Sequence, residues 1–183
     1  MTQATKTMPT KEPLLAALKA ERHSLLTTLD DVPNEVLTRP GAVDRWSALD
    51  VLAYVTAQDG EMLRRIAFAT GQTTRRPHDV DDEAYWSAWA EQQVQMKRVM
   101  GPRGVKVDMA GTWVRLLARI ESLSPRDYAR WVEIDPFVRP ERDREYVELL
   151  QRWRKRWEGS LPWWQRSWRK MMKRRTRFTD RHL

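Results

Sequence analysis

The chain has 183 residues and no cysteine, which excludes disulfide bonds and thiolate metal sites. Its net charge of +8 is concentrated at the C-terminal end, because residues 151–183 carry twelve lysines and arginines against Glu158 and Asp180. Residues 1–150 are slightly acidic, so the basic isoelectric point does not mark the whole chain as a nucleic-acid binder. The sequence has no apolar run of membrane-spanning length, and we expect a cytoplasmic protein.

Amphipathic helical patterns follow one another along the chain. In the first, over about residues 11–30, leucines recur at intervals of three and four. Prolines and a glycine then predict a loop over residues 31–45. Ser47, followed three residues later by Asp50, has the spacing of a capping box, so a second helix should begin there and end near Gly71.

Two further helices are predicted in the middle of the chain. A polar loop over residues 72–81 leads to the third helix, over residues 82–100. The glycine- and proline-containing segment 101–104 predicts a break before the fourth helix, over residues 108–123. The candidate core side chains of these two helices are Tyr85, Trp89, Met96, Ala110, Trp113, Leu117 and Ile120.

The last third of the chain is also helical in pattern. Ser124 before Pro125 predicts a capped short helix. A long helix is expected from about Pro140 until Pro162 breaks it, with a further helix over residues 163–175. No segment alternates apolar and polar residues, so no strand is predicted.

These patterns predict an all-α fold. The expected organisation is a flexible N-terminus over residues 1–10, a helical bundle over residues 11–161, and a basic, Trp-rich C-terminal helix or tail over residues 162–183.

One segment carries a family resemblance. Residues 39–54 contain Pro-Gly followed by Trp-Ser-Ala-Leu-Asp-Val-Leu-Ala-Tyr. This element resembles the DinB-like four-helix-bundle superfamily, nearest the ClbS/DfsB branch of colibactin self-resistance and damage-inducible proteins. Weaker matches lie at residues 116–124 and 161–163. The resemblance implies an all-α DinB-like four-helix bundle to which the basic C-terminal segment is added.

The resemblance also assigns the metal-ligand positions of the family. Many DinB-like proteins hold a metal with three histidines, one on the second helix and two spaced four apart on the last. The corresponding positions here are Tyr54, Arg156 and Ser160. A guanidinium repels a divalent cation, and a serine hydroxyl is a poor ligand for one. We therefore expect neither a metal nor another cofactor.

Tyr54 is the candidate catalytic residue. Tyr54 and Gln58 lie one helical turn apart and should share a face, and the resemblance places Arg156 and Ser160 opposite them, which defines a candidate pocket of these four residues. In the ClbS-like branch, a tyrosine at this position accompanies metal-independent hydrolysis of an electrophilic ring. A neighbouring arginine would favour the phenolate. The structural alternative is a buried tyrosine whose hydroxyl bonds to a polar partner.

The C-terminal segment combines aromatic and basic side chains. Five of the ten tryptophans lie between Trp153 and Trp168. Four of them repeat at intervals of four, seven and four, which is one helical face if the break at Pro162 is mild. Such a segment suits a core seam with a charged outer surface, an anionic membrane surface or nucleic acid. The candidate polyanion-binding residues are Arg166, Arg169, Lys170, Lys173, Arg174 and Arg175.

The function implied by the resemblance is that of a metal-free helical-bundle protein that binds a small molecule or protects the cell under stress. On this interpretation the chain is not an enzyme. One alternative is a metal-independent hydrolase or self-resistance protein that uses Tyr54. Another is an adaptor that contacts nucleic acid or anionic membrane through residues 151–177. The expected partners are a small-molecule ligand, a polyanion on the tail, and a second copy of the chain in a homodimer.

Overall fold

The computed structural model describes residues 10–78, 82–135 and 143–165. The named helices within these ranges are α1 Glu12–Leu29, α2 Asn34–Leu37, α3 Ala48–Ala69, α4 Glu83–Arg98, α5 Gly101–Ser122, α6 Pro125–Ile134 and α7 Arg144–Ser160. Residues 163–165 are also helical. The only β-type contact in the described ranges is an isolated bridge between Val43 and Trp46. The all-α fold class predicted from the sequence is therefore confirmed.

Helix α3 is the central element of the fold. It begins at the predicted cap, where the Ser47 hydroxyl accepts from the Asp50 amide at 3.1 Å and the Asp50 carboxylate accepts from the Ser47 amide at 2.9 Å. These two bonds satisfy N–H groups that have no partner inside the helix. Most of its side chains are buried, because α3 packs against α4, α5 and α6.

The apolar core consists of two clusters along α3. One joins the N-terminal half of α3 to α7, with Val51 and Leu150 fully buried. The other joins its C-terminal half to α6, with Ile66 and Trp131 fully buried. Helix α1 contributes leucines to both clusters and packs along α7, so the two ends of the described chain lie side by side.

Two boundaries differ from the sequence-based expectation, and prolines explain both. The predicted loop 31–45 contains the short helix α2, because Pro33 at its N-cap accepts the first backbone bonds of the turn. Helix α5 starts at Gly101, well before the expected residue 108. Gly101 has a φ of 65°, and Pro102 occupies the first turn, where a missing N–H breaks no helical bond. The Gly-Pro pair therefore begins a helix.

Some of the predicted core positions are exposed. Met96 is 60% exposed and Ala110 is also on the surface, so these two expectations are wrong. The buried stripe of α5 runs through Val105, Met109, Thr112, Leu116 and Ile120. The stripe could not be located correctly from the sequence because the expected helix lacked its first two turns.

The C-terminal expectations are met in part. Trp153 is buried and stacks on the half-buried Trp157 at a centroid distance of 6.3 Å, whereas Trp163 and Trp164 are largely exposed. The N-terminal segment 1–9 and residues 166–183, which include most of the helix expected at 163–175, lie outside the described residues. None of the helices in the described ranges has the length and apolar character needed to cross a membrane.

Candidate functional site

Tyr54 lies in an aromatic cluster built by four segments of the chain. Its ring centroid is 5.2 Å from that of Trp46, 5.6 Å from that of Tyr146 and 6.2 Å from that of Trp89. Trp46 precedes the cap of α3, Trp89 lies on α4, and Tyr146 lies in the first turn of α7. The tilted and edge-to-face orientations are those in which aromatic rings attract one another.

The hydroxyl groups of Tyr54 and Tyr146 share a hydrogen bond. Burial raises the pKa of Tyr146 above its ordinary value of 10.0, and the neighbouring Tyr54 raises it further. Tyr146 therefore keeps its proton over the whole physiological range.

The four residues of the candidate pocket occupy different environments. Tyr54 and Gln58 are half-buried and lie one turn apart on α3. Arg156 and Ser160 lie on the exposed side of α7, where the Ser160 hydroxyl donates to the Trp157 carbonyl at 2.7 Å. The α7 side chain that contacts Tyr54 is Tyr146, ten positions before Arg156, which corresponds to about 15 Å along the helix.

Gln58 has an unusual environment next to this cluster. Its side-chain oxygen is buried and accepts no hydrogen bond from any residue that the structure describes. An unsatisfied buried acceptor is unfavourable by about 1–3 kcal/mol. Such a group is suited to a donor supplied by water or by a ligand.

A cleft of about 610 Å³ opens beside the aromatic cluster. It lies between residues 42–46, helix α4 and the first turns of α7. Side chains that define its chemistry are Trp46, Ser87, Tyr146, Leu149, Arg152 and Arg156. Trp46 and Tyr146 belong to both the cluster and the cleft, whereas Tyr54 contacts both rings and is not among the residues that line the cleft.

One wall of the cleft is held by Glu91 on α4. Its carboxylate accepts from the Trp46 indole N–H at 3.2 Å, from the Arg45 guanidinium at 2.9 Å and from the Gln95 amide at 3.0 Å. The hydrogen bonds from Gln95 and then Trp46 lower the pKa of Glu91. This carboxylate therefore remains ionised and fixes the orientation of Trp46 in the cleft wall.

The opposite wall carries two arginines of α7. Arg152 and Arg156 are exposed and lie one turn apart, and neither forms an ion pair or a hydrogen bond with another described residue. Other arginines of the same helix are engaged: Arg144 pairs with Glu21 at 3.0 Å, and Arg154 pairs with Glu158 at 2.9 Å. The two unpaired guanidinium groups are those that face the cleft.

A second polar group lies deep between α1, α3 and α7. Arg22 forms two bonds with Asp59, at 2.9 and 3.1 Å, and a third with Asp143 at 3.2 Å. All three residues are buried, and the guanidinium lies 4.2 Å from the Trp113 ring centroid. A guanidinium satisfied on several sides in this way holds helices in register.

A third polar group lies at the other end of α3. Arg65 donates to Glu61 at 3.1 Å and lies 3.7 Å from Asp135, whose carboxylate also accepts from the Trp131 indole N–H at 2.8 Å. Arg65 also donates to the His78 carbonyl at 2.8 Å. These contacts tie the end of α6 and the loop after α3 to the central helix.

The two histidines in the described ranges lie on different elements. His23 is exposed on α1, and the His78 ring stacks on Tyr85 with its Nε2 3.1 Å from Asp82. No group of three or more His, Asp or Glu side chains in the described ranges is arranged to hold a metal ion. His182 and the candidate polyanion-binding residues lie outside the described residues; the latter are Arg166, Arg169, Lys170, Lys173, Arg174 and Arg175.

Three features of the site were not found from the sequence. These are the pairing of Tyr146 with Tyr54, the pairing of Glu91 with Trp46, and the buried Arg22. An available signal was Arg22 itself, a charged residue within the leucine stripe of an amphipathic helix, which requires a buried partner. The other two pairings join distant segments, and no local pattern encodes them.

Comparison with models of protein families, with curated proteins and with solved structures found no match.

Proposed function

We propose that this chain is a DinB-like helical-bundle protein without the family metal site, and that it binds a small molecule in the cleft formed by residues 42–46, α4 and α7. The observation that supports this most is the composition of the cleft. It places aromatic and aliphatic surface beside several charged side chains, so a ligand there could make both apolar and polar contacts. Its volume of about 610 Å³ lies within the range for small-molecule sites.

The geometry favours binding over hydrolysis. Trp46 and Tyr146 offer rigid ring surface to a ligand, and Glu91 holds Trp46 in place without a ligand. A preorganised wall of this kind reduces the entropy lost on binding. The candidate nucleophile Tyr54 does not line the cleft, so a ligand there would meet Tyr146 and not Tyr54.

The test fills the cleft without removing any of its contacts. Ser87 is an exposed residue of α4 that lines the cleft, and the adjacent Ala88 is exposed and does not. A panel of small aromatic and aliphatic compounds is screened by thermal shift, since a ligand that binds only the folded state raises the melting temperature. Ser87→Trp should abolish the shift given by each hit, and Ala88→Trp should retain it.

Two outcomes would contradict the proposal. Either no compound stabilises the protein, or the hits stabilise Ser87→Trp as well as they stabilise the unmodified chain. Circular dichroism of both variants serves as the folding control, because both positions are on the surface of α4 and should accept tryptophan without loss of helix.

A metal-independent hydrolase that uses Tyr54 is the second candidate function. The hydrogen bond between the Tyr54 and Tyr146 hydroxyls supports it, because a tyrosine nucleophile needs a neighbouring polar group that orients its hydroxyl. Turnover of an activated ester or a strained ring should then be lost in Tyr54→Phe. In Tyr146→Phe turnover should be reduced but not lost, because the hydrogen-bond partner of the Tyr54 hydroxyl is removed. Equal turnover by Tyr54→Phe and the unmodified chain would exclude this function.

A further inference from the structure

The charges on the α7 side of the cleft are separated along the helix. Glu145 lies in the first turn of α7, while Arg152 and Arg156 lie two and three turns further on. Seven residues of helix correspond to about 10 Å, so the carboxylate and the first guanidinium are held well apart. The α7 wall of the cleft is therefore acidic at its first turn and basic at its C-terminal end.

The arginines at the basic end are not paired with a carboxylate in the described part of the chain. Of the cleft carboxylates, Glu91 accepts hydrogen bonds from Arg45, Trp46 and Gln95. No ion pair or hydrogen bond joins Arg152 or Arg156 to another residue in the described part of the chain. Two guanidinium groups one turn apart can hold the same carboxylate, sulfonate or phosphate through charge-assisted hydrogen bonds.

Apolar surface lies next to these two arginines. Leu149 precedes Arg152 by three positions and Arg156 by seven, which places it on the same face of α7. Tyr146 extends that surface towards Trp46 on the facing wall, and Val43 adjoins it. A ligand that fills the cleft thus meets ring and aliphatic surface along its length and positive charge at one end.

We infer that the ligand of the cleft is an amphiphilic anion, whose apolar body lies on Trp46, Tyr146 and Leu149 and whose acidic group binds Arg152 and Arg156. This inference rests on the proposed function, since it specifies the ligand of the same cleft. The acidic group must be placed at the C-terminal end of the cleft, because Glu145 at the other end repels it.

The experiment compares two dyes of similar shape and different charge on the full-length protein. Anilinonaphthalene sulfonate is an aromatic anion, and phenylnaphthylamine is its neutral counterpart. Both become fluorescent in an apolar site, and titration yields an affinity for each. Arg152→Ala/Arg156→Ala should weaken binding of the sulfonate by about tenfold or more, since it removes charge-assisted bonds. Binding of the neutral dye should change less than about twofold, because its contacts are apolar.

A charge-matched control separates the site from the overall charge. Lys155→Ala/Arg103→Ala also removes two positive charges, from exposed positions that do not line the cleft. This variant should bind the sulfonate as the unmodified protein does. The affinity difference between the two double variants should narrow as salt is added, because screening weakens the exposed charges.

The outcomes distinguish the inference from the proposed function. If the two dyes bind equally and Ser87→Trp excludes both, the cleft binds ligands without selecting anions, and only the inference is overturned. The same holds if the control variant loses as much sulfonate affinity as Arg152→Ala/Arg156→Ala. If the unmodified protein binds neither dye although the panel gives hits that Ser87→Trp excludes, only the inference is overturned. If Ser87→Trp excludes neither the dyes nor the hits, the cleft is not a ligand site and the proposed function fails as well.

Discussion

The Asp50 side chain makes two sets of contacts at the start of the central helix α3. It completes the capping box with Ser47, and it pairs with Arg98 of α4 through two bonds of 2.8 and 2.9 Å. Burial acts to raise the pKa of Asp50, but the hydrogen bonds from Arg98 and Ser47 outweigh it, so the pKa lies below its ordinary value of 3.8. The ionised carboxylate is therefore the form that stabilises the fold.

This pKa shift predicts a specific acid dependence. A carboxyl group with a lowered pKa in the folded state stabilises the protein above its unfolded pKa of about 3.9, and this contribution is lost as the pH falls through the folded pKa. Asp50→Asn should lower the free energy of unfolding at neutral pH by about 1–2 kcal/mol, from the cap and one partly exposed pair. Urea unfolding of the variant and the unmodified protein, repeated over a range of pH, measures this difference in the free energy of unfolding.

The control for Asp50 is Asp44→Asn in the preceding loop. Asp44 is exposed and has a φ of 48°, a conformation that asparagine also tolerates. Asp44→Asn should leave the free energy of unfolding, and the dependence of that free energy on acid pH, nearly unchanged. If Asp50→Asn retained the full loss of stability below about pH 4, the source of that loss would lie elsewhere.

Arg22 is the residue whose removal should be the most damaging. Arg22→Ala leaves the carboxylates of Asp59 and Asp143 without the cation that now bridges them in a buried site. Breaking a buried pair in this way lowers the free energy of unfolding by about 3–5 kcal/mol. Arg144→Ala removes an exposed ion pair to Glu21 and should change it by less than about 1 kcal/mol. Denaturant unfolding of the two variants tests this contrast, and similar values would contradict it.

At the scale of the helices, two glycines of α5 should respond in opposite directions. Gly101 has a φ of 65°, which an alanine adopts only with strain, so Gly101→Ala should lower the free energy of unfolding by about 1 kcal/mol. Gly111 lies in the exposed interior of the same helix, with no atom within 4 Å of an added Cβ. Gly111→Ala should raise it by about 0.5–1 kcal/mol, from helix propensity alone.

The melting temperatures of these two variants should move apart, with Gly101→Ala below and Gly111→Ala above the unmodified protein. A fall for both would mean that the outer face of α5 is covered in solution. A rise in both melting temperatures would show that the backbone at Gly101 adjusts to alanine without a loss of stability.

Helix boundaries were predictable where a local signal determined them. Ser47 and Ser124 are caps in the sequence and in the structure, because a hydroxyl three residues before an amide needs no tertiary context. The Gly101-Pro102 start was missed because the same dipeptide can end one helix or begin another. Which it does depends on the packing of the next turn, and that information lies outside the segment.

At the scale of the whole molecule, the site itself was only half predictable. The resemblance indicated Tyr54, whose environment is polar and aromatic in the structure. A neighbour on the last helix that the sequence did not indicate is Tyr146, whose ring lies 5.6 Å from that of Tyr54. The register between α3 and α7 depends on contacts such as that of Arg22 with Asp143, which joins residues far apart in sequence. Local periodicity contains no information on such a register.

The basic C-terminal segment leads to a separate prediction, on binding of polyanions. Residues 163–183 hold eight arginines and lysines against one aspartate, so most of the net charge of +8 lies there. We expect any affinity for short DNA or for anionic vesicles to reside in these residues and to fall steeply with salt. A chain that ends at Pro162 keeps α1–α7 and should lose this affinity in a binding titration at low salt.

The control for the truncation is Lys155→Ala/Arg103→Ala, which removes basic charge from the described helices and leaves residues 163–183 intact. It should bind the polyanion nearly as the full chain does. Equal binding by the truncated and full-length proteins, or no binding by either at low salt, would contradict an adaptor role for the segment.

The contacts of Arg154 with the end of α1 predict the order in which parts of the chain fold. Its guanidinium donates to the carbonyls of Thr28 at 2.6 Å and Asp30 at 3.0 Å, and pairs with Asp31, so α7 closes the end of α1. The residues that make these contacts are 123 to 126 positions apart in the sequence. The entropy cost of closing a loop of that length must be met before the contacts can stabilise the chain. We therefore expect the α1–α7 pairing to form after the main folding barrier. Arg154→Ala should accelerate unfolding in stopped-flow experiments and leave the refolding rate nearly unchanged.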